Sequence, residues 1–326
     1  METKPHAHKE QVKFHGLMGS VVVLLVAADL LLARVVHYTR ASATISSLPL
    51  TLAFVASGAL PIIVICKEYY PKWFSKSLDV ASTSLWTLAI WILIGPLVQI
   101  AARSPFPLVD ATLARVDSQV LQTVTVVRWL QEFPALQTAM KIVYRLLWPF
   151  ALTALFLPTL CGHARDVRDY LLAGSISLLV TLSLFALWPA AGPWTVEPLT
   201  PGTLQASVGV YLSALKSQVA PAGPELEEIV AFPSFHTVLA ILSAAALWHI
   251  RKLRIASVVI CVAICVSTVA TGWHYVADVI AGAAVAAISQ ALAWRMLRMP
   301  AVEPQRAHME ISPGPRTIAT ASVKVL

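Results

Sequence analysis

The stretch AFPSFHTVLAILSAAALW, residues 231–248, joins a long apolar run to a polar first turn that holds Pro233, Ser234 and His236. An apolar run of this length predicts a helix buried in protein or in lipid. Proline suits the first turn of a helix, because its missing N–H would have had no partner there. The hydroxyl and the ionisable imidazole beside it must therefore be explained from the rest of the chain.

The composition places the chain in a broad class. Of its 326 residues, 57% are hydrophobic and only 13% are charged, whereas soluble domains are about half apolar and about a quarter charged. Such a composition is typical of a polytopic membrane protein. The net charge of +7 then reflects where the loop cations lie and does not indicate nucleic-acid binding.

Apolar windows of about 20 residues predict membrane-spanning helices. We therefore expect an all-α fold, a polytopic membrane protein with about eight transmembrane helices. Apolar residues that recur at steps of three and four also predict amphipathic helices in two long connecting segments, residues 103–137 and 203–219. The eight windows are 16–36, 48–66, 81–101, 138–159, 170–190, 233–250, 255–272 and 274–296.

The distribution of lysine and arginine predicts the orientation. With the N-terminus in the cytoplasm, 16 of the 24 lysines and arginines fall in cytoplasmic segments, and the segment HIRKLR at 249–254 is the clearest of them. An even number of spans puts both termini on that side. We expect an integral membrane protein of a bacterial inner membrane, with its polar helix starts on the outer, periplasmic side.

A second polar cluster occurs in STVATGWHYVADVIAG, residues 267–282. His274 and Asp278 are four residues apart, which on a helix places them on one face, where the carboxylate can accept the imidazole N–H and fix its tautomer. The predicted topology puts His236 and His274 on the same side at similar depth. Ionisable residues in membrane segments are costly and tend to be functional, so the two clusters predict a site.

These two clusters resemble the second and third motifs of the type-2 phosphatidic acid phosphatase superfamily, PSGH and SR-x5-H-x3-D. The chain has PSFH at 233–236, and Ser267-Thr268 followed at the family's spacing by His274 and Asp278. Phe235 stands where the family has glycine, and Thr268 stands where it has arginine. The resemblance covers roughly residues 138–296.

The family's first motif, K-x6-RP, is the weakest part of the resemblance. It aligns on FALWPAAGP, which gives Phe185 and Gly192 at positions where cations are expected and keeps only Pro193. The missing cations and the form of the third motif favour a divergent branch. That branch is similar to the aureobasidin-resistance inositol phosphorylceramide synthases and their bacterial relatives.

The resemblance implies a six-helix core, completed by the third predicted span, with two helices added before it. The expected organisation is then a cytoplasmic N-terminal tail at 1–15, two additional transmembrane helices within 16–80, a phosphatase-like or phosphotransferase-like membrane domain at 81–298, and a disordered cytoplasmic tail at 299–326.

The resemblance also implies a reaction, in which a membrane lipid phosphate is the substrate and neither a metal nor another cofactor takes part. His274 is the nucleophile and forms a phosphohistidine, while Asp278 orients it. His236 protonates the leaving alcohol and then acts as a base on water or on an acceptor hydroxyl. Ser234 and the N–H groups of the helix start hold the phosphoryl oxygens.

Other cations must then neutralise the phosphate. Lys141 and Arg145 are four apart near the outer end of the fourth predicted span, so we expect them to bind it. The alternative is that both side chains reach the head groups of the outer leaflet. The next candidates lie in the predicted outer segments: Arg103, Arg115, Arg128 and Lys216.

Three readings of the clusters compete with a lipid-phosphate enzyme. A non-catalytic lipid-binding membrane protein would explain the lost cations, but not the presence of both histidines and the aspartate. A bis-histidine haem protein usually has its ligands within helices that face each other, not at helix starts beside Ser and Asp. A zinc site formed by His236, His274 and Asp278 would lack a further clear ligand cluster.

Overall fold

The computed structural model describes residues 4–35, 71–195, 199, 202–218 and 229–299, and the regular structure within these ranges is helical. A short 3-10 turn at Pro193–Thr195 accompanies the α-helices. The α-helices are α1 (Lys4–Val35), α2 (Pro71–Ala102), α3 (Asp110–Ser118), α4 (Thr123–Gln131), α5 (Pro134–Arg145), α6 (Leu147–Leu160), α7 (Ala164–Leu187), α8 (Thr203–Lys216), α9 (Phe235–Leu247), α10 (Arg254–Ala270) and α11 (Val276–Arg298).

Within the described ranges, five segments are long and apolar enough to cross a membrane, and the shorter helices α9 and α10 are apolar as well. The expected all-α membrane fold is therefore confirmed, while the count of eight spans stays a prediction. The predicted span 48–66 lies outside the described residues, as does the predicted tail from residue 300 onward. The five segments are Glu10–Ala27, Trp73–Ala102, Pro134–Leu160, Ala164–Leu187 and Val276–Arg298.

Helix α10 shows the outward-facing pattern of a helix in lipid. Its large apolar side chains at Ile255, Val259, Val262 and Val266 are exposed, and they recur at steps of four, three and four residues. In water such a stripe would be costly, but hydrocarbon solvates it well. The buried face of α10 carries smaller and more polar residues, among them Ser257, Cys261, Ser267 and Thr268.

Helix α9 lies at the centre of the bundle and contacts α6, α7, α10 and α11. Its buried positions include Ala240, Ser243, Ala244 and Ala246, whose small side chains allow neighbouring helices to approach closely. Helix α7 packs along α11, and α1 and α2 pack together on the α7 side. The polar first turn quoted above therefore begins the most enclosed helix of the described part.

Ion pairs join helices at the end of the bundle opposite to His236 and His274. Arg165 donates to Glu10, with 3.0 Å between Nε and Oε2, and so ties α7 to α1. Arg298 donates to both carboxylate oxygens of Asp169, at 2.8 and 3.1 Å, and so ties α11 to α7. One end of the bundle is therefore joined by ion pairs between helices, whereas the other end carries the two histidines.

The two connecting segments contain helices, as their periodicity predicts. Helices α3 and α4 lie within 103–137, and α8 occupies most of 203–219. Asp117, at the end of α3, accepts hydrogen bonds from the backbone N–H of Thr123 at 2.7 Å and of Val276 at 2.9 Å. This carboxylate therefore holds the start of α4 against the start of α11.

Candidate active site

His274 lies in the short link between α10 and α11, and it is only 3% exposed. Its Nδ1 lies 2.8 Å from the carbonyl oxygen of Ala231. Since a carbonyl can only accept, Nδ1 carries the proton and the lone pair of the neutral ring is on Nε2. Nε2 is therefore the atom that can act as a nucleophile.

Asp278 is fully buried and caps the first turn of α11. Its Oδ2 accepts the backbone N–H of Tyr275 at 2.8 Å, and the same oxygen lies 3.6 Å from Nδ1 of His274. The second distance is too long for a hydrogen bond. The sequence predicts Asp278 as the acceptor of the imidazole N–H; the structure gives that role to the Ala231 carbonyl.

This difference has a local cause. The helix begins at Val276, and Tyr275 has extended backbone angles, φ −73° and ψ 159°. His274 therefore lies before the helix, where the rule that residues four apart share a helix face does not apply.

Ser234 is the N-cap of α9 and is fully buried. Its Oγ accepts hydrogen bonds from the backbone N–H and the hydroxyl of Thr237, at 3.3 and 3.1 Å. Its own backbone N–H donates to the carbonyl oxygen of Asp278 at 3.0 Å. The observed role of Ser234 is to cap a helix and to join the two motifs, and its predicted contact with a phosphoryl group stays a prediction.

Gly282 sets the distance between these two helix starts. A Cβ atom at this position would lie 2.5 Å from the carbonyl oxygen of Ser234. The absence of a side chain lets α11 touch the start of α9, and the rings of His236 and His274 then lie with their centroids 5.9 Å apart. The structure thus brings together the two histidines that the sequence singles out.

Tyr144 of α5 is a site residue that sequence reasoning missed. It is buried, and its ring stacks on the ring of His236, with centroids 4.2 Å apart and planes 21° apart. Its Oη lies 3.5 Å from His236 Nδ1. The ring of Trp273 lies nearly parallel to the Tyr144 ring, with the two centroids 6.3 Å apart. A tyrosine in an apolar helix is usually a packing residue, so the pattern gave no signal of this contact.

Lys141 and Arg145 lie on the same helix as Tyr144, and both are exposed. Lys141 donates to Oε1 of Gln137 at 3.4 Å. Among the described residues, no hydrogen bond or ion pair joins either cation to the histidines. The structure therefore puts both on the helix that supplies Tyr144, but it does not bring them into the histidine cluster.

The positions that carry cations in the resembled family are closed to cations here. Phe185 is fully buried. Gly192 has φ +117°, and a Cβ there would lie 2.6 Å from the carbonyl oxygen of Trp273, so no side chain fits without a shift of the backbone. Thr268 is fully buried and donates its hydroxyl to the carbonyl oxygen of Cys265 at 2.7 Å.

Asp110, also missed from the sequence, holds the loop that contains Gly192. Its carboxylate accepts the backbone N–H groups of Ala191, at 3.0 Å, and of Gly192, at 2.7 Å. Burial raises the pKa of Asp110, although these two N–H groups oppose the shift. The loop from Pro189 to Trp194 is thereby held against α3 on one side and against Trp273 on the other.

Carboxyl groups are the common ionisable side chains of the buried part of the site. Asp110, Asp117 and Asp278 are buried near the link between α10 and α11, whereas no lysine or arginine whose side chain is described is buried. Burial, reinforced by these three carboxylates, raises the pKa of the Tyr275 phenol well above its usual value. The described residues also contain no group of three or more His, Cys, Asp or Glu side chains placed to hold a metal ion.

The helical bundle and its pair of histidines define an integral membrane protein with an enclosed polar site at one end. The family model of the PAP2 superfamily matches residues 111–292, more than half of the chain, and the chain belongs to this superfamily. The matched range runs from α3 into α11 and contains His236, His274 and Asp278. No curated protein and no solved structure matches the chain.

Proposed function

We propose that this protein is an integral-membrane phosphoryl-transfer enzyme that acts on a lipid phosphate or phosphodiester through a phosphohistidine at His274. Membership of the PAP2 superfamily supports a phosphatase-type function on lipids. The observation that carries the finer proposal is the histidine pair. The two rings are 5.9 Å apart, and the Nδ1 proton of His274 is engaged by a backbone carbonyl, which leaves Nε2 for attack.

The reaction has two steps. In the first, Nε2 of His274 attacks phosphorus, the bond from phosphorus to the leaving oxygen breaks, and His236 gives that oxygen a proton. In the second, His236 takes a proton from water or from an acceptor hydroxyl, whose oxygen attacks phosphorus and releases His274. The charge of Asp278, 3.6 Å from the ring, stabilises the positive character that His274 gains.

The charge of the site favours a phosphodiester over a phosphomonoester. A diester carries one negative charge, whereas a monoester carries nearly two at neutral pH. Three buried aspartates lie near the link between α10 and α11 and the family's cation positions are neutral, so the second charge would be poorly compensated. This supports a phosphotransferase similar to the inositol phosphorylceramide synthases, with an alcohol as the acceptor.

The decisive assay uses a panel of lipid phosphates and phosphodiesters with the purified protein in nanodiscs, with and without inositol as an acceptor. We expect the wild-type protein to turn over at least one lipid and to form an acid-labile phosphoenzyme when the transferred phosphoryl group is radiolabelled. His274→Ala should lose both signals. Equal turnover by wild type and His274→Ala would overturn the proposal.

A lipid-binding protein without catalysis is the second candidate, because the family's cation positions are occupied by Phe185, Gly192 and Thr268. Such a protein would bind the lipid phosphate without releasing any product. The same panel decides between the two candidates, since binding that persists unchanged in His274→Ala without turnover is the signature of the second.

We also propose that the protein lies in a bacterial inner membrane with both termini in the cytoplasm and the histidines on the periplasmic side. The ion pairs of Arg165 and Arg298 lie at the end of the bundle opposite to His274, and the segment HIRKLR at 249–254 is at that end too. Cytoplasmic loops are enriched in such cations, which supports this orientation.

A further inference from the structure

We infer that Tyr144 is a positioning residue: its ring stacks on His236 and its hydroxyl lies beside Nδ1, so that His236 exchanges protons with the substrate through Nε2 alone. This inference rests on the proposed function and goes beyond it, since it assigns a role to a residue outside the superfamily motifs. Tyr144 precedes the PSFH motif by nearly a hundred residues and lies on a different helix.

The geometry supplies two separate restraints on His236. The stacked ring of Tyr144, 4.2 Å away and 21° from parallel, restricts the rotation of the imidazole about its side-chain bonds. The hydroxyl oxygen of Tyr144 lies 3.5 Å from Nδ1, and so selects which nitrogen faces the protein. The opposite nitrogen, Nε2, is left without this contact, and the centroid of the His274 ring lies 5.9 Å from that of His236.

The acid step determines which protons His236 carries. A histidine that protonates a leaving oxygen begins as an imidazolium, which carries a proton on both nitrogens. When Nε2–H passes its proton to the leaving oxygen, the ring keeps its Nδ1 proton and has its lone pair on Nε2. That lone pair next takes the proton of water or of the acceptor alcohol.

A neutral partner suits this role better than a carboxylate would. A carboxylate at Nδ1 would stabilise the imidazolium and make it a weaker acid, whereas a phenol orients the ring without adding charge. His274 has a carbonyl oxygen in the equivalent position, at Ala231. Each histidine therefore has a neutral oxygen beside Nδ1, which leaves Nε2 for the phosphoryl group.

Tyr144 also connects the two histidine-bearing segments. The ring of Trp273, which immediately precedes His274, lies 6.3 Å from the Tyr144 ring and within 17° of parallel. Removal of the Tyr144 ring would therefore loosen both segments, whereas removal of its hydroxyl alone takes away the contact with Nδ1 of His236 and keeps the ring contact with Trp273. This difference separates a positioning role from a merely structural one.

The test compares Tyr144→Phe, which keeps the ring, with Tyr144→Leu, which does not. We expect Tyr144→Phe to lower kcat about tenfold to a hundredfold for a lipid substrate with an unactivated alcohol as leaving group, since loss of orientation has effects of this size. An aryl phosphate ester needs little help from an acid and should be affected much less. His236→Ala, measured beside it, shows the loss expected when the acid is absent.

Tyr170→Phe is the matched control. It also removes a buried tyrosine hydroxyl that contacts α9, since Oη of Tyr170 lies 3.3 Å from Oγ of Ser243, but it does so about two turns further along the helix. We expect this variant to keep the leaving-group dependence of the wild type. If Tyr144→Phe keeps that dependence as well, the inference is wrong.

A second measurement does not depend on turnover. Long-range ¹H–¹⁵N spectra of protein labelled with ¹⁵N-histidine report the tautomer of each neutral ring, and His236→Gln identifies the signals of His236. We expect a single tautomer of His236 in wild type and a mixture of tautomers in Tyr144→Phe. Unchanged signals would overturn the inference even if no substrate is turned over, whereas absence of turnover with the expected spectra would count against the proposed function alone.

Discussion

At the scale of single residues, the site separates two roles that a catalytic triad often gives to one carboxylate. The carbonyl of Ala231 fixes the His274 tautomer, and Asp278 supplies charge at 3.6 Å while it caps α11 through Tyr275. Because the carbonyl belongs to the backbone, side-chain substitution cannot remove it. The charge of Asp278 can therefore be removed without freeing the imidazole.

Asp278→Asn tests this separation. The amide oxygen can still accept the Tyr275 N–H, so we expect the melting temperature in nanodiscs to stay within a few degrees of wild type. The lost charge should lower kcat, because positive charge that develops on His274 is no longer compensated. Asp278→Ala should also lose the cap, which is worth about 0.5–2 kcal/mol. Unchanged kcat in Asp278→Asn would show that the carboxylate is only a cap.

At the scale of helices, α9 and α11 are fixed at their starts by close backbone contact. Gly282 permits this contact, and the N–H of Ser234 donates across it to the carbonyl oxygen of Asp278. A change in the distance between α9 and α11 would therefore alter the relation between His236 and His274 without touching either ring.

We expect Gly282→Ala to destabilise the protein by about 1–3 kcal/mol, as overpacking does, and to lower kcat. The reason is that its Cβ would lie 2.5 Å from the Ser234 carbonyl oxygen. Gly174→Ala is the matched control in α7, because a Cβ there meets nothing within 4 Å. Thermal unfolding and turnover of both variants check the prediction, and equal behaviour of the two would contradict it.

Helix α5 offers the second test at this scale. It turns Tyr144 toward His236 and leaves Lys141 and Arg145 exposed on neighbouring positions. We expect Lys141→Gln and Arg145→Gln each to weaken orthovanadate binding by about twofold to fivefold, the effect of losing one exposed ionic contact. Increasing salt should reduce the difference from wild type.

Arg251→Gln is the control, since it removes an exposed cation of the same charge at the opposite end of the bundle. Vanadate binding is measured by competition with turnover or by thermal shift. If the α5 variants bind as Arg251→Gln does, the prediction is wrong, and the cations next in line are Arg103, Arg115, Arg128 and Lys216.

At the scale of the whole molecule, one end of the bundle carries interhelical ion pairs and the other carries the histidine site. One end is held by the ion pairs Glu10–Arg165 and Asp169–Arg298, and the other holds the histidines beneath the helices α3 and α4. A reporter fused after Leu326 should be active only in the cytoplasm, because that side carries most of the cations. A reporter active in the periplasm would reverse the proposed orientation.

The sequence alone determined the membrane class, the all-helical fold, and the presence of both histidines at one end. These properties depend on local composition, on periodicity and on helix-start signals, which a short window contains. The spacing from Ser267 to Asp278 and the PSFH motif also indicated the superfamily that the match to residues 111–292 shows.

Only the tertiary structure decided how the site is built. The contacts of His274 with Ala231, of His236 with Tyr144, and of Val276 with Asp117 join residues 43, 92 and 159 positions apart. Periodicity states which face of a helix is buried, but not which other helix covers that face. The partners of both histidines therefore became visible only when α5, α9 and α11 were packed together.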